Sequence, residues 1–138
     1  MAVALDSNAV IGFLDPGDTF HEAANERIRS LLGGGERLYA SVVTYAEVLT
    51  GAKLAHHDEA IVVGFFDQLI SEILPVDVPV AERAANLRGR KKALAMPDAL
   101  ILASADVHPE VDLIVSADGV VQGLEDVLRC QVDPLRQI

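Results

Sequence analysis

The chain has little from which a covalent framework could be built. Cys130 is its only cysteine, so neither an internal disulfide nor a cysteine metal site is available. We expect this thiol to be a small residue of the core. No apolar run approaches the ~18 residues that a membrane-spanning helix requires, and no basic segment near the start resembles a secretory signal. These absences predict a cytoplasmic protein that does not enter a membrane.

Basic side chains are also scarce. The sequence has 11 Lys and Arg residues against 21 Asp and Glu residues, which gives a net charge of −10. A charge of this sign argues against simple non-specific binding to nucleic acid. The cations are unevenly placed, however, because five of the eleven fall between Arg83 and Lys92. Such a stretch indicates either a local contact with an anion or a solvated helix face, and the sequence leaves both open.

Apolar residues are abundant, at 51% of the sequence. With 138 residues the chain can bury a substantial core, and we expect a single domain that spans residues 1–138. Short apolar and β-branched runs alternate with segments whose apolar residues recur at helical spacing. This alternation predicts an α/β fold with a mainly parallel sheet of four or five strands and helices on both faces.

The predicted elements follow one another without a linker or a repeat. The predicted strands are residues 2–5, 38–43, 73–76, 112–116 and, at an edge of the sheet, 128–132. Helices are predicted at residues 9–14, after a Thr19 cap, from Thr44 to about Gly51, at residues 57–71, at residues 79–92 and from Pro97 onward.

Four acidic residues occupy equivalent places in this pattern. Asp6 ends the first strand and Asp118 follows the fourth, whereas Glu47 and Asp98 lie at the starts of predicted helices. Because strand carboxyl ends and helix amino ends meet at one rim of a parallel sheet, we expect the four carboxylates to converge. An all-oxygen set suits Mg²⁺ or Mn²⁺, and no histidine or cysteine is placed to form a zinc site.

Each acid also has a purely structural interpretation. Thr44 and Glu47 have the spacing of a capping box. Asp98 is an acid in a first helical turn, where the helix dipole favours it, and Asp118 precedes a glycine in a potential turn. Asp6, which directly follows an apolar strand, is the hardest of the four to explain in this way. The functional interpretation therefore depends on the placement that all four share.

The segments around these acids resemble a known family. Residues 5–11 are similar to the opening strand and turn of PIN-domain ribonucleases, especially the toxins of VapBC-type toxin–antitoxin pairs. Residues 44–48 resemble the second motif of that family, residues 97–103 resemble the third and most specific motif, and residues 116–118 lie where the fourth motif falls. The resemblance covers the whole chain in order and spacing.

The resemblance implies a three-layer PIN-like fold and metal-dependent hydrolysis of phosphodiester bonds in RNA, with Mg²⁺ or Mn²⁺ as the cofactor. It implies that Asp6 and Asp98 hold the metal directly, and that Glu47 and Asp118 complete the cluster through water or a second ion. The residues expected to orient carboxylates or water are Ser7, Asn8, Thr44 and Ser116. The residues expected to contact RNA phosphates are Arg88, Arg90, Lys91 and Lys92. The resemblance further implies a cognate antitoxin as partner and a homodimer.

Other functions stay open on the sequence alone. A haloacid dehalogenase-like phosphatase also has an aspartate after its first strand, but it requires a second acid two residues later, where this chain has Asn8. A receiver domain would require a phosphoacceptor aspartate after the central strand and a late lysine, and neither is apparent. A PIN-like module that binds RNA or protein without catalysis is the non-enzymatic alternative. Intact acids at all four places argue against such a module.

Overall fold

A parallel five-stranded sheet runs through the middle of the molecule. The computed structural model describes residues 2–138. The strands are β1 (Ala2–Leu5), β2 (Arg37–Ser41), β3 (Glu72–Leu74), β4 (Val111–Ser116) and β5 (Gln131–Pro134). Their order across the sheet is β3-β2-β1-β4-β5, and every pairing is parallel. The predicted α/β fold with a parallel sheet of up to five strands is therefore confirmed.

Seven helices cover the two faces of this sheet. They are α1 (Ser7–Leu14), α2 (His21–Gly33), α3 (Val42–Lys53), α4 (Glu59–Gln68), α5 (Val78–Arg90), α6 (Met96–Val107) and α7 (Gly119–Gln122). Helices α1 to α4 pack on one face, and α5 to α7 pack on the other. The result is the three-layer arrangement expected for a parallel sheet, whose strands are buried from both sides. Among residues 2–138, none of the helices is long and apolar enough to cross a lipid bilayer.

β1 is the central strand, and its side chains alternate between two separate cores. Val3 and Leu5 pack with α1 to α4, whereas Ala2 and Ala4 pack with α5 to α7. All four are at most 3% exposed, which explains why the strand is a continuous apolar run rather than an alternating one. The strand therefore delivers the next residue, Asp6, to the rim of the sheet between both layers.

The start of α3 differs from the prediction. Val42 and Val43 are β-branched and were expected to extend the second strand, but β2 ends at Ser41. Ser41 Oγ accepts a hydrogen bond from the Val43 N–H at 3.1 Å, so Ser41 is the N-cap of α3. The expected helix start at Thr44 is therefore wrong, and Thr44 and Glu47 do not form a capping box. Glu47 lies in the second turn of α3.

Three further boundaries were misplaced. Thr19 does not cap α2, which begins after Phe20 with no side-chain cap. The fourth helix is shorter than predicted because Asp58 caps it by accepting backbone hydrogen bonds from Ala60 and Ile61. The last edge strand lies at Gln131–Pro134, later than predicted, and α7 was not predicted at all. Cys130 is buried, as expected, and its burial, together with the nearby Asp106 charge, raises the pKa of the thiol to about 12.

The ends of α2 and α3 share a Schellman geometry with different residues at the left-handed position. Gly35 occupies that position after α2, with φ of +78°. Ala55 occupies it after α3, with φ of +62°, and the following residue, His56, donates its N–H to the Gly51 carbonyl at 2.8 Å. Only glycine adopts this backbone conformation without a steric penalty from Cβ.

We therefore expect Ala55→Gly to raise the free energy of unfolding by about 0.5–1 kcal/mol, because relief of strain exceeds the added entropy of the unfolded chain. Gly35→Ala is the matched control and should lower the free energy of unfolding by a similar amount. Urea denaturation of both variants measures the two effects. A shift of both midpoints in the same direction would contradict the assignment of strain to Ala55.

Candidate metal centre

Asp6 lies between β1 and α1 and is 3% exposed. Its carboxylate is the N-cap of α1, because Oδ1 accepts the Ser7 N–H at 2.8 Å. The other oxygen, Oδ2, accepts two hydrogen bonds, from Ser116 Oγ at 2.7 Å and from Asn8 Nδ2 at 3.4 Å. A carboxylate oxygen has two lone pairs, so Oδ1 is the oxygen that keeps capacity for a further ligand.

Ser116 and Asn8 also connect Asp6 to the segment that follows β4. Ser116 Oγ accepts the Asp118 N–H at 3.0 Å, and Asn8 Oδ1 accepts the Ala117 N–H at 2.9 Å. Each side chain thus contacts the Asp6 carboxylate with one hydrogen bond and the start of the next segment with another. The two residues fix the distance between the end of β1 and the end of β4.

A second chain of hydroxyl groups joins α1 to α3. Ser7 Oγ donates to Glu47 Oε1 at 2.7 Å and lies 3.1 Å from Thr44 Oγ1. Ser7 has one hydroxyl proton, so Thr44 is the donor in the second contact. Thr44 is fully buried, whereas Glu47 is exposed. The contact orients the Glu47 side chain toward α1 and occupies one of its carboxylate oxygens.

The remaining two acids lie at helix starts. Asp98 is in the first turn of α6, is half-buried, and receives no hydrogen bond from residues 2–138. Asp118 is the N-cap of α7, and its Oδ1 accepts the Val120 N–H at 2.8 Å. Asp118 therefore has the structural role that its sequence context indicated, but only one of its carboxylate oxygens is used in it.

The charges of these four acids influence one another, and Asp6, Glu47, Asp98 and Asp118 are called the acidic cluster below. Burial raises the pKa of Asp6 to about 6, hydrogen bonds from Ser116 and Ser7 oppose the rise, and the charges of Asp98 and Asp118 add to it. Burial also raises the pKa of Asp98, with further contributions from the charges of Asp118 and Glu47. The four acids therefore act on one another electrostatically, and a shared cation held by their carboxylates stays a prediction.

No protein cation balances this cluster within the part of the chain that the structure describes. The ion pairs of residues 2–138 all involve other acids. A group of carboxylates that repel one another, with Asp6 Oδ1 and the whole Asp98 carboxylate available, has the donor set that Mg²⁺ and Mn²⁺ prefer. The residues present thus fit a hard divalent cation.

A different acidic group lies at the opposite rim, where the strands begin. Ligand atoms of Glu72, His108 and Glu110 lie within 4.8 Å of one another. However, His108 Nδ1 accepts the Glu110 N–H at 3.1 Å, which puts the proton of the neutral ring on Nε2, the nitrogen 3.6 Å from Glu72. Arg37 Nη2 contacts Glu110 at 2.7 Å and lowers the pKa of that carboxyl. These contacts satisfy the group without an ion.

The basic stretch is divided by its contacts. Arg83 pairs with Asp106 at 2.9 Å, and Arg88 donates to backbone carbonyls of the loop between α5 and α6. The other three basic residues are exposed and form no ion pair within residues 2–138; this basic trio is Arg90, Lys91 and Lys92. The trio is separated from Asp98 only by the short loop that leads into α6.

Comparison with known families agrees with this geometry. A family model of the PIN domain matches residues 3–122. The chain belongs to the PIN-domain family. A search of curated protein sequences gave no match. The family assignment therefore comes from the domain model, which spans all four acids of the cluster.

Solved structures with the same fold include several toxin–antitoxin complexes. The PIN-domain chain is similar to a chain of FitAcB from Neisseria gonorrhoeae, with a TM-score of 0.69 and 26% identity over 94% of this chain and 95% of that one. It is similar to a chain of a toxin–antitoxin complex from Klebsiella pneumoniae, with a TM-score of 0.72 and 25% identity over 100% of both. VapBC2 from Rickettsia felis, bound to a promoter DNA fragment, shares the fold at a TM-score of 0.74, with 12% identity over 99% of this chain and 100% of that one.

Proposed function

We propose that this PIN-domain protein is a metal-dependent ribonuclease that acts as the toxin of a toxin–antitoxin pair. The observation that carries the proposal is the acidic cluster at the carboxyl ends of β1 and β4, which no protein cation balances within residues 2–138. The similarity to a chain of a toxin–antitoxin complex at 25% identity supports the toxin role. In this proposal residues 1–138 act as one PIN-like domain in the cytoplasm.

Asp6, through Oδ1, and Asp98 are proposed to hold Mg²⁺ or Mn²⁺ directly, because Asp6 Oδ1 accepts only one hydrogen bond and the Asp98 carboxylate accepts none within residues 2–138. Glu47 and Asp118 each have one oxygen engaged within the protein, so the other oxygen of each is free to orient water or a second ion. When bound, the cation neutralises charge on the phosphate and lowers the pKa of the attacking water. The side chains proposed to keep the carboxylates in place are Ser7, Asn8, Thr44 and Ser116.

RNA is proposed to reach the acidic cluster past the basic trio. The acidic chain as a whole repels the phosphate backbone, so local cations are needed to neutralise phosphates on either side of the scissile bond. Arg90, Lys91 and Lys92 are exposed and stand one loop before Asp98. They are the residues of the basic stretch whose charges are most available for this contact.

A cognate antitoxin and a second copy of the chain are the proposed protein partners. An apolar groove runs between α1 and α4, and its lining includes Phe13, Leu14, Ile61 and Phe65. Ile61 is 58% exposed, so the groove presents apolar surface that a partner could bury. Phe13 and Leu14 end α1, the helix that Asp6 caps, so a partner in this groove would lie about two helical turns from Asp6.

The test is cleavage of total RNA by the purified protein with Mn²⁺. The wild type is expected to cleave, and both EDTA and Asp98→Asn are expected to remove the activity. The loss in the variant should exceed the roughly 10- to 100-fold effect typical of residues that only support a metal ligand. Asp112→Asn is the matched control, since Asp112 is an exposed acid near the opposite end of β4.

Two outcomes would contradict the proposal. RNA binding without cleavage, at equal affinity in the wild type and Asp98→Asn, would make the protein a non-catalytic binding module. Release of phosphate from a small phosphomonoester, abolished by Asp98→Asn, would instead favour a phosphatase.

A further inference from the structure

Arg88 lies in the last turn of α5, and its guanidinium turns toward the loop that leads into α6. Nε donates to the carbonyl oxygen of Leu94 at 2.6 Å, and Nη2 donates to that of Lys92 at 3.4 Å. No ion pair within residues 2–138 includes Arg88. Because two of its five N–H donors are engaged with the backbone, Arg88 is less available to an RNA phosphate than the neighbouring Arg90.

The loop that Arg88 contacts is short and anchored at one point. The Leu94 N–H donates to the Lys91 carbonyl at 3.1 Å, which closes a turn directly after α5. The Leu94 side chain is 1% exposed and belongs to the core formed by α5, α6 and the sheet. Arg88 thus holds the backbone of a residue whose side chain is already fixed by packing.

The start of α6 has no side-chain cap. Ala95 is the N-cap and has no side chain that could accept a hydrogen bond, and Pro97 in the first turn has no N–H to donate. The first helical bond joins the Ala99 N–H to the Ala95 carbonyl at 2.9 Å. Asp98 lies inside this uncapped turn, so its position depends on the loop that precedes the helix.

We propose that Arg88 is a positioning residue for the metal centre, which fixes the start of α6 and hence the place of the Asp98 carboxylate by holding the carbonyls of Lys92 and Leu94. The proposal builds on the proposed function, in which Asp98 holds a divalent cation. It reassigns Arg88, which the sequence placed among the RNA contacts.

The sign of the change in Mn²⁺ affinity tests this role. Removing a positive charge near an acidic cluster would by itself strengthen cation binding, because an opposing charge has been taken away. If Arg88 positions Asp98, Arg88→Gln should instead weaken Mn²⁺ binding by about tenfold, as is typical when support of a metal ligand is lost. Calorimetric titration of Mn²⁺ into the RNA-free protein measures this affinity.

Two other arginine variants separate positioning from RNA contact. Arg90→Gln should weaken RNA binding, reduce the slope of log K against log salt by about 1, and leave Mn²⁺ affinity unchanged. Arg88→Gln should lower kcat with little change in that slope. Arg29→Gln is the charge control, because Arg29 is exposed on α2 and its one side-chain hydrogen bond within residues 2–138 is to Asn25 of its own helix. Arg29→Gln should leave Mn²⁺ affinity, kcat and the slope of log K against log salt unchanged.

Chemical rescue provides a further readout. Millimolar guanidinium should restore part of the Mn²⁺ affinity and of kcat to Arg88→Ala, whereas sodium chloride at the same ionic strength should not.

Wild-type Mn²⁺ affinity and kcat in Arg88→Gln, with only RNA affinity reduced, would overturn the proposal and return Arg88 to the RNA contacts. A wild type that binds Mn²⁺ but does not cleave RNA overturns the proposed function alone, since the titration still tests positioning. A wild type that binds no Mn²⁺ overturns both.

Discussion

Replacing Asp6 by asparagine is expected to abolish RNA cleavage and, in metal-free protein at about pH 7.5, to raise the melting temperature. Burial raises the pKa of Asp6 from 3.8 to about 6, so at neutral pH the folded state holds a buried charge that the unfolded state exposes to water. A pKa raised by this much lowers the free energy of unfolding at neutral pH by up to about 3 kcal/mol. Asparagine removes this penalty, while the lost hydrogen bonds from Ser116 and Asn8 cost about 1 kcal/mol.

The net gain should be about 1–2 kcal/mol, or several degrees in melting temperature. Its pH dependence has a definite sign. Because the folded pKa lies above the unfolded one, the wild type becomes less stable relative to the variant as pH rises from about 4 through 6. The advantage of Asp6→Asn should therefore be near zero at about pH 4 and complete at about pH 7.5.

Thermal denaturation of both proteins across this pH range, with and without saturating Mn²⁺, measures the effect. Mn²⁺ should stabilise the wild type and reverse the order of the two melting temperatures, because the variant has lost a ligand. Asp112→Asn, which removes an exposed carboxylate, is the control and should show neither effect. Lower stability of metal-free Asp6→Asn at about pH 7.5 would contradict the buried-charge explanation.

Replacing Asp106 by alanine is expected to lower the free energy of unfolding by about 3 kcal/mol. Asp106 lies in the last turn of α6 and is 6% exposed. Oδ2 accepts from Arg83 Nε at 2.9 Å, and Oδ1 accepts the backbone N–H groups of Arg129 at 2.6 Å and Cys130 at 3.1 Å. Alanine would leave a partly buried guanidinium and two backbone donors without this acceptor, and each loss is costly in the interior.

Urea denaturation of Asp106→Ala against Asp112→Asn measures this loss. Asp106→Asn should be intermediate, because an amide oxygen can still accept the two backbone hydrogen bonds but no longer carries the charge that pairs with Arg83. RNA cleavage by the folded variants should be retained, since Asp106 lies at the end of α6 opposite Asp98. Equal stability of the alanine variant and the wild type would show that water replaces the whole network.

The four acids could be singled out from the sequence because each is placed by the single strand or helix next to which it lies. β1 is a continuous apolar run that stops at Asp6, and parallel strands bring their carboxyl ends to the same rim. The raised pKa of Asp6 follows from the same pattern, since a carboxylate directly after a buried strand is itself buried and loses contact with water.

Features that depend on contacts across the chain could not be read in this way. Val42 and Val43 have high strand propensity, yet the Ser41 cap places them in a helix. Ser7 contacts Glu47 across 40 residues, a pairing that no local spacing encodes. The contact of Arg88 with Leu94 could not be predicted either. The sequence of a basic stretch does not show whether one of its side chains faces solvent or bonds to the backbone.

The bounds of β5 could not be predicted from local sequence either. Leu128 and Cys130 are apolar and were expected to lie in the edge strand, but they pack into the core beneath the sheet. The strand that pairs with β4 begins at Gln131 and ends at Pro134, and proline is tolerated there because the outer edge of the strand needs no donor.

The parallel pairing of β1 with β4 determines when, during synthesis of the chain, the acidic cluster can form. The hydrogen bond from Ser116 to Asp6 joins residues 110 positions apart, and β1 lacks one of its two neighbours until β4 has formed. A nascent chain that ends before β4 already contains Asp6, Glu47 and Asp98, but it lacks Asp118 and the Ser116 hydroxyl that holds the Asp6 carboxylate. The acidic cluster is therefore complete only late in synthesis, and the proposed nuclease centre would not act on the messenger RNA while most of the chain is being made.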